Sequence, residues 1–384
     1  MKINDKTINA WQVGILIFIL TFANKILTLP SLLYDKTGVE GFLVPVFLFG
    51  FEIGLLVLFC MLKNKYPNAS FAEILNENLG RVMTKIVFAL MMVFFLAKTV
   101  LLYNVTYIFF RNLIYKDVDN FLFLICFLPV VNHLAICGLR VVGRTAQMFF
   151  PIIVVIVLFC IVVGVLGIED MPMLFQTNAS VFFKSSFTHM SSFGDMMFLF
   201  AIMDKVKMKK GQWKIVFSFA GVAMLCVVAI TTIFIFSYTY TAFMHPYALF
   251  EIMSYVKEYG GIGRIDIISM VLIVIFTYFH LAIYLKVFIL SFDVVFRKIG
   301  HIYSILTANL LFLIGINFLV SNLQTAVVFG EGVLPYFSII PFVIVPILSF
   351  VAMIVDVQRR RKRDKGEFKT WRICLKLHSK PRCF

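Results

Sequence analysis

Apolar runs of about 20 residues recur from Trp11 to Val355, and they constrain this chain more than any other feature. A helix rises about 1.5 Å per residue, so each run matches the ~30 Å hydrocarbon core of a bilayer. Of the 384 residues, 61% are apolar and only 14% are charged, with a mean hydropathy of +0.96. A water-soluble domain of this size does not bury that share. The predicted fold class is all-α integral membrane. A transmembrane β-barrel would show alternating segments of ~10 residues, and the sequence has none.

Two of the runs are interrupted. Ser185–Met203 reads SSFTHMSSFGDMMFLFAIM, and Ser191, Ser192, Phe193, Gly194 and Asp195 break it near its middle. Serine and glycine hold an unsupported helix poorly, and a carboxylate in hydrocarbon costs about 2.5–3.5 kcal/mol or more. Unwound backbone cannot face lipid, because its N–H and C=O groups would lack partners. It is tolerated where it lines a cavity or is covered by protein. The segment is therefore predicted to form two half-helices around a site. The second interruption, FANKILTLPS at Phe22–Ser31, lies in the first apolar run.

Ten segments emerge. They lie near Trp11–Leu33, Gly41–Leu62, Lys85–Phe110, Phe121–Cys137, Met148–Leu166, Ser185–Met203, Ile215–Tyr238, Ile265–Phe292, Tyr303–Val320 and Tyr336–Val355. Between the second and third, Ser70 and Glu73 form a capping-box pattern ahead of Phe71, Ile74, Leu75 and Leu79, as in a short interfacial or loop helix. Between the seventh and eighth, Tyr247–Tyr259 carries Leu249, Ile252, Met253 and Val256 on one face. This is the pattern of a helix lying on the membrane or over a cavity.

The net charge of +15 fits membrane topology better than nucleic acid. Eleven of the 35 Lys and Arg fall in the tail after Val357, and most others flank apolar runs. With the N-terminus inside, 26 fall on the cytoplasmic side and 6 outside; without the tail the split is 15 to 6. The positive-inside rule then puts both termini in the cytoplasm. Residues 1–357 form a membrane domain, and 358–384 a basic cytoplasmic tail that touches anionic lipid. Ten helices divide into repeats at about 8–167 and 185–356. Five is odd, so the second repeat is inverted and the two breaks begin the two halves. Paired broken helices in inverted repeats mark a transporter substrate site. The seven cysteines include no C-x-x-C, and neither a disulfide framework nor a zinc site is indicated. Lys2 and Lys6 precede an apolar run without a cleavage-site pattern, which reads as an uncleaved first helix.

Seven ionisable residues other than cysteine or tyrosine call for explanation: Lys25, Glu52, Lys98, Asp195, His280, Lys286 and Asp293. Lys286 and Asp293 sit near a helix end, where snorkelling or a local pair is expected. Glu52 and Lys98 are central in their helices and suit either a mutual structural pair or ion coupling. His280 suits a hydrogen-bonded packing role or proton carriage. Lys25 and Asp195 lie at the two breaks. They could line a pocket for a zwitterionic or charged small molecule, pair with each other, or do both. Asn24, Thr28, Ser191 and Ser192 add hydrogen-bonding groups of the kind a small polar ligand needs, beside Phe193 and Gly194. Hydrolase, nucleotide-binding and metalloprotease motifs are absent, and no enzyme, cofactor or metal is expected.

Several stretches together resemble one family. They are KILTLPS at Lys25–Ser31, YPNASFAEILNENLG at Tyr66–Gly80, GLRVVGRTAQMFFPI at Gly138–Ile152, LFEIMSYVKEYGGIGRID at Leu249–Asp266 and SFGD at Ser192–Asp195. In this order they resemble the spore-germination B-subunit family (GerAB type) of the amino acid–polyamine–organocation transporter superfamily. That resemblance implies a LeuT-like 5+5 fold with broken helices 1 and 6. It implies a subunit of a nutrient-germinant receptor in the spore inner membrane, with A-type and lipoprotein C-type partners and a germinant that is commonly an amino acid. A stand-alone amino-acid or organic-cation transporter, or a scaffold with a vestigial pocket, are the alternatives. The sequence departs from the family pattern at Ser192, where proline is usual, at Asp195, where the acid is longer, and at Asn24 and Lys25. A reporter active only in the cytoplasm, fused after Phe384, should be active; silence in a protein that still inserts rules out this topology.

Overall fold

The computed structural model describes residues 7–113, 119–168, 177–209, 211–260, 266–296, 301–319 and 323–359, apart from the side chains of 23–24, 255–260, 301, 319 and 323–324. The tail beyond 359 lies outside this set. The described residues form helices and an isolated parallel bridge between Ile8 and Val206. Among the described residues, seven helical stretches are long and apolar enough to cross a membrane, and Ala10–Phe22 and Ile302–Phe318 are shorter apolar helices. With the broken sixth segment they account for the ten expected segments.

α1 (Ala10–Leu27) opens with a capping box: Gln12 N donates to Asn9 Oδ1 at 2.9 Å, and Asn9 N donates to Gln12 Oε1 at 3.2 Å. Pro30 then ends it. Proline has no N–H to give and its ring crowds the carbonyl four residues back. The chain breaks at Thr28 and restarts as α2 (Leu29–Thr37). The second run is α3 (Leu43–Lys65). α4 (Phe71–Leu79) has the expected capping box, with Ser70 N donating to Glu73 Oε2 at 2.8 Å. Its apolar face is covered by protein: Phe71, Ile74 and Leu75 are buried, and Phe71 meets Phe88 and Phe200. It is an ordinary packed helix, because a face met by two rings has no need of lipid.

α5 (Arg81–Leu113), α6 (Asn120–Cys137) and α7 (Leu139–Leu166) complete the first half. The sixth segment starts earlier than the sequence suggests, as α8 (Ala179–His189), and unwinds at Phe193–Gly194 before resuming as α9 (Phe198–Ala201). α10 (Trp213–Tyr238) packs along α1. α11 (Ala248–Gly260) packs on α7 and α12 (Asp266–Val295), burying Leu249, Ile252 and Met253. α12 lies along α5. α13 (His301–Leu319) follows.

The last segment departs most from expectation. It begins at α14 (Leu323–Val328), well before Tyr336, and carries two π turns, Phe329–Val333 and Ile340–Ile344, around α15 (Leu334–Phe337). The cause is Pro335 and Pro341, which cannot donate to the carbonyls four residues back; wider turns absorb the mismatch.

Gly194 sits in the left-handed region, at φ +87°, and a Cβ there would come within 2.8 Å of Pro341 Cγ and 3.4 Å of Phe94 Cζ. The break in helix 6 is thus moulded against the proline-bent last helix. Gly194→Ala should lower the thermal midpoint of the purified protein, by the equivalent of about 1–3 kcal/mol. Gly50→Ala, at a helical position with nothing within 4 Å of the added methyl, should leave the midpoint unchanged or raised. Equal effects would mean that the moulding is unimportant.

Candidate functional site

The unwound turn of helix 6 exposes backbone groups inside the bundle, and side chains from two other helices take them up. Gly194 N and Asp195 N donate to Glu52 Oε1 of α3, at 2.8 and 3.2 Å. The Phe193 carbonyl accepts from Lys98 Nζ of α5 at 3.0 Å. A carboxylate capping the start of a half-helix also meets the positive end of its dipole. Glu52 is thus the cap that the local sequence of helix 6 does not supply.

Around this turn four charges meet. Lys25 Nζ donates to Asp195 Oδ2 at 2.5 Å and lies 3.6 Å from Glu52 Oε1. Lys98 Nζ donates to Asp195 Oδ1. Tyr284 of α12 donates its hydroxyl to the same oxygen at 2.5 Å. All five residues are buried. Two ammonium groups balance two carboxylates, so the cluster carries no net charge; an unbalanced charge at this depth would cost several kcal/mol. Lys25 also faces the rings of Phe193 and Phe49, at 5.0 and 5.9 Å from their centroids.

The sequence-predicted residues sort into two places. Lys25 and Asp195 pair directly. Glu52 and Lys98 join the same cluster, but not as each other's partner: Glu52 turns to Lys25 and the helix 6 amides, and Lys98 to Asp195. Equal depth did not fix which face of each helix they occupy. A cavity of about 10 Å³, room for about one water, is lined by Lys25, Lys98, Ser192, Asp195, His280 and Tyr284 among others. His280 sets its ring nitrogens 3.0 and 2.8 Å from the Phe276 and Leu20 carbonyls, tying α12 to α1 beside the break. Thr28 and Ser191 face a second cavity of about 30 Å³, while Ser192 and Leu101 line both. Ser191 donates to the Gly330 carbonyl at 3.0 Å.

The side chain of Asn24 lies outside the described residues. Lys286 is buried rather than snorkelled to a surface, and it is not among the residues lining the central cavity. Asp293 accepts from Ser304 Oγ, a local pair with α13. Tyr284 is the residue that sequence reading missed. A tyrosine in an apolar helix carries no charge to flag it, although its spacing of four from His280 placed it on the same face.

The model of the spore germination protein family matches residues 7–329. The chain belongs to that family. No curated protein matches it in sequence. Among solved structures, it resembles a Na+-coupled sialic acid symporter in a substrate-bound outward-open state, with a TM-score of 0.61, 12% identity and 91% of each chain covered. It also resembles Mhp1, a nucleobase-cation-symport-1 family transporter in a closed conformation, with a TM-score of 0.58 and 13% identity over 87% of this chain and 75% of that one. The family member therefore has the LeuT-like transporter fold and is a transporter-like integral membrane protein.

The cluster predicts an uneven response to mutation. Asp195→Asn leaves both ammonium groups short of a partner and should lower the midpoint by the equivalent of about 3–5 kcal/mol. Adding Lys98→Met should restore much of the loss, because Lys25 and Glu52 then remain as a neutral pair. Adding Lys25→Met should restore less, because Lys98 and Glu52 form no ion pair with each other. Equal rescue by both would show that the cluster does not partition as the distances indicate.

Proposed function

We propose that this chain is the membrane subunit of a spore nutrient-germinant receptor. It binds a small zwitterionic germinant, an amino acid, in the central cavity between the breaks of helices 1 and 6. The site comprises Lys25, Thr28, Ser191, Ser192, Phe193, Gly194 and Asp195, with Asn24 on the same turn as Lys25. The two transporter-like repeats are about 8–167 and 185–356. In this reading the chain sits in the spore inner membrane beside A-type and lipoprotein C-type subunits, and the charge split supports cytoplasmic termini.

The observation that carries the reading is the Asp195 carboxylate held between two lysines and a tyrosine hydroxyl. An amino acid brings one carboxylate and one ammonium group. Its carboxylate takes the place of Asp195 between Lys25 and Lys98, and its ammonium is received by the freed Asp195 and by Glu52. The site stays neutral throughout, so a zwitterion enters without leaving a buried unpaired charge. With room for about one water in the closed form, binding requires the helices around the break to part. The transporter folds of the solved relatives favour a second reading, a stand-alone carrier of the same ligand class.

Spores lacking the chain, tested across amino acids, sugars and salts, should lose germination to one or a few amino acids. The methyl ester and the decarboxylated amine of the active amino acid should be inert. Lys98→Met, in protein that still accumulates, should raise the half-maximal germinant concentration at least about 30-fold, as loss of one partner in a buried charge pair does. Unchanged germination across the panel rejects the receptor reading. Uptake of the amino acid by vesicles holding the chain alone would favour the carrier.

A further inference from the structure

The second cavity has its own charge and its own unmet hydrogen-bonding groups. It lies between the helix 1 break, the end of α8 and the first π turn of the last helix. Glu331, flanked by Gly330 and Gly332, stands in that π turn, where the wide backbone sets it at the cavity wall. Its Oε2 lies 3.6 Å from Lys36 Nζ, on the exposed side. Its Oε1 is buried and has no hydrogen-bond partner among the described residues. His189 also lines the cavity; it is 2% exposed, and its Nε2 is likewise buried without a partner among the described residues. An imidazolium there would add a donor with no acceptor, so the ring is taken as neutral and Nε2 as an acceptor. Leu32, Leu101 and Val105 supply apolar walls.

The balance of charge differs from the central cluster. Lys36 bridges Asp35 at 3.2 Å and Glu331 at 3.6 Å, which sets two carboxylates against one ammonium. The rim is net negative. Two buried acceptors, apolar walls and a spare negative charge call for a cation that donates hydrogen bonds and carries a short alkyl group. A metal ion suits the site poorly, since a single carboxylate and a few hydroxyls fall short of the six or more oxygens a hard cation takes. About 30 Å³ admits an ammonium head and one or two carbons, not a large ligand.

We propose that this cavity is a second binding site, for a primary alkylammonium group held by Glu331 Oε1 and His189 Nε2. Ser192 and Leu101 line both cavities, so the site shares a wall with the central one. It does not depend on what the central cluster binds.

The test uses the full chain in lipid nanodiscs and ethylammonium chloride as the probe. The thermal midpoint is followed against concentration, with sodium chloride at equal ionic strength as reference. Ethylammonium should raise the midpoint saturably beyond sodium, and tetramethylammonium, which has no N–H to donate, should not. Glu331→Gln should weaken the apparent affinity about 10- to 100-fold, the usual loss for a hydrogen bond to a charged group. His189→Leu should weaken it too, and it serves as the second variant if Glu331→Gln fails to fold. Asp119→Asn makes the same charge change on an exposed residue with no side-chain cap bond, and should leave the response intact. Tyr284→Phe, in the central cluster, should also leave it intact, so failure of the central site and of this one are told apart. No saturable rise in the native chain, an equal rise with tetramethylammonium, or a full response in a folded Glu331→Gln or His189→Leu protein overturns the proposal.

Discussion

The constraint on which this bundle depends is the satisfaction of three backbone groups at Phe193, Gly194 and Asp195. Inside a bilayer no water takes up the amides of a helix that unwinds, and each one left bare costs several kcal/mol. Here Glu52 receives two N–H groups and Lys98 donates to the freed carbonyl. Those two side chains are charged, so they bring a further demand: their charges must be balanced. Lys25 and Asp195 meet it. The break, the cap and the ion cluster are one structure, and α1, α3, α5 and α12 are held in register because each contributes a group to it.

This explains why so much was legible in the chain and why some was not. Breaks are written locally: Pro30 removes a donor, and Gly194 allows a left-handed turn, so both interruptions could be read from a few residues. Capping boxes are local too, and those at Asn9 and Ser70 formed as their spacing dictates. Partner choice is not local. Depth along a helix can be counted from sequence, but the direction a side chain faces depends on helix rotation, which packing sets. Hence the four charged residues were all identifiable, while the pairing of Glu52 with Lys25 rather than Lys98 was not. Tyr284, His189 and Glu331 were missed for another reason. Each lies at or beside an apolar helix whose partners come from distant sequence, so only the folded bundle shows what they face.

The last helix shows how proline shapes a site at a distance. Pro335 and Pro341 each force a wide turn, and the two turns have separate consequences. One places Glu331 at the wall of the second cavity. The other brings the Pro341 ring against Gly194, where no side chain could fit. A straight α-helix in this position would have neither a carboxylate at that wall nor a close seat for the helix 6 break. The irregularities of helices 1, 6 and 10 therefore belong together.

The two ends of the bundle are closed by unequal means. At the end holding the N-terminus, Lys63 is buried and donates to the Met203 and Pro67 carbonyls at 2.7 and 2.6 Å. Ile8 bridges to Lys205 and Lys207, and Trp213 donates to Asn64. Opening there strips a buried ammonium of its acceptors. At the other end, Lys36 and Glu331 face each other across 3.6 Å with the Lys36 side chain 42% exposed. An exposed pair of this kind contributes about 0–1 kcal/mol, and water replaces its partners readily. Ser31 adds one bond to the Ala242 carbonyl, and Thr177 ties to Glu40 and Thr37. The cavity lined by Glu331 lies at this end, and its wall at Ser192 is shared with the cavity beside the ion cluster. The two ends bury different groups: the first an ammonium bonded to two carbonyls, the other the Glu40 carboxylate and the Ser31 hydroxyl beside an ion pair that water reaches.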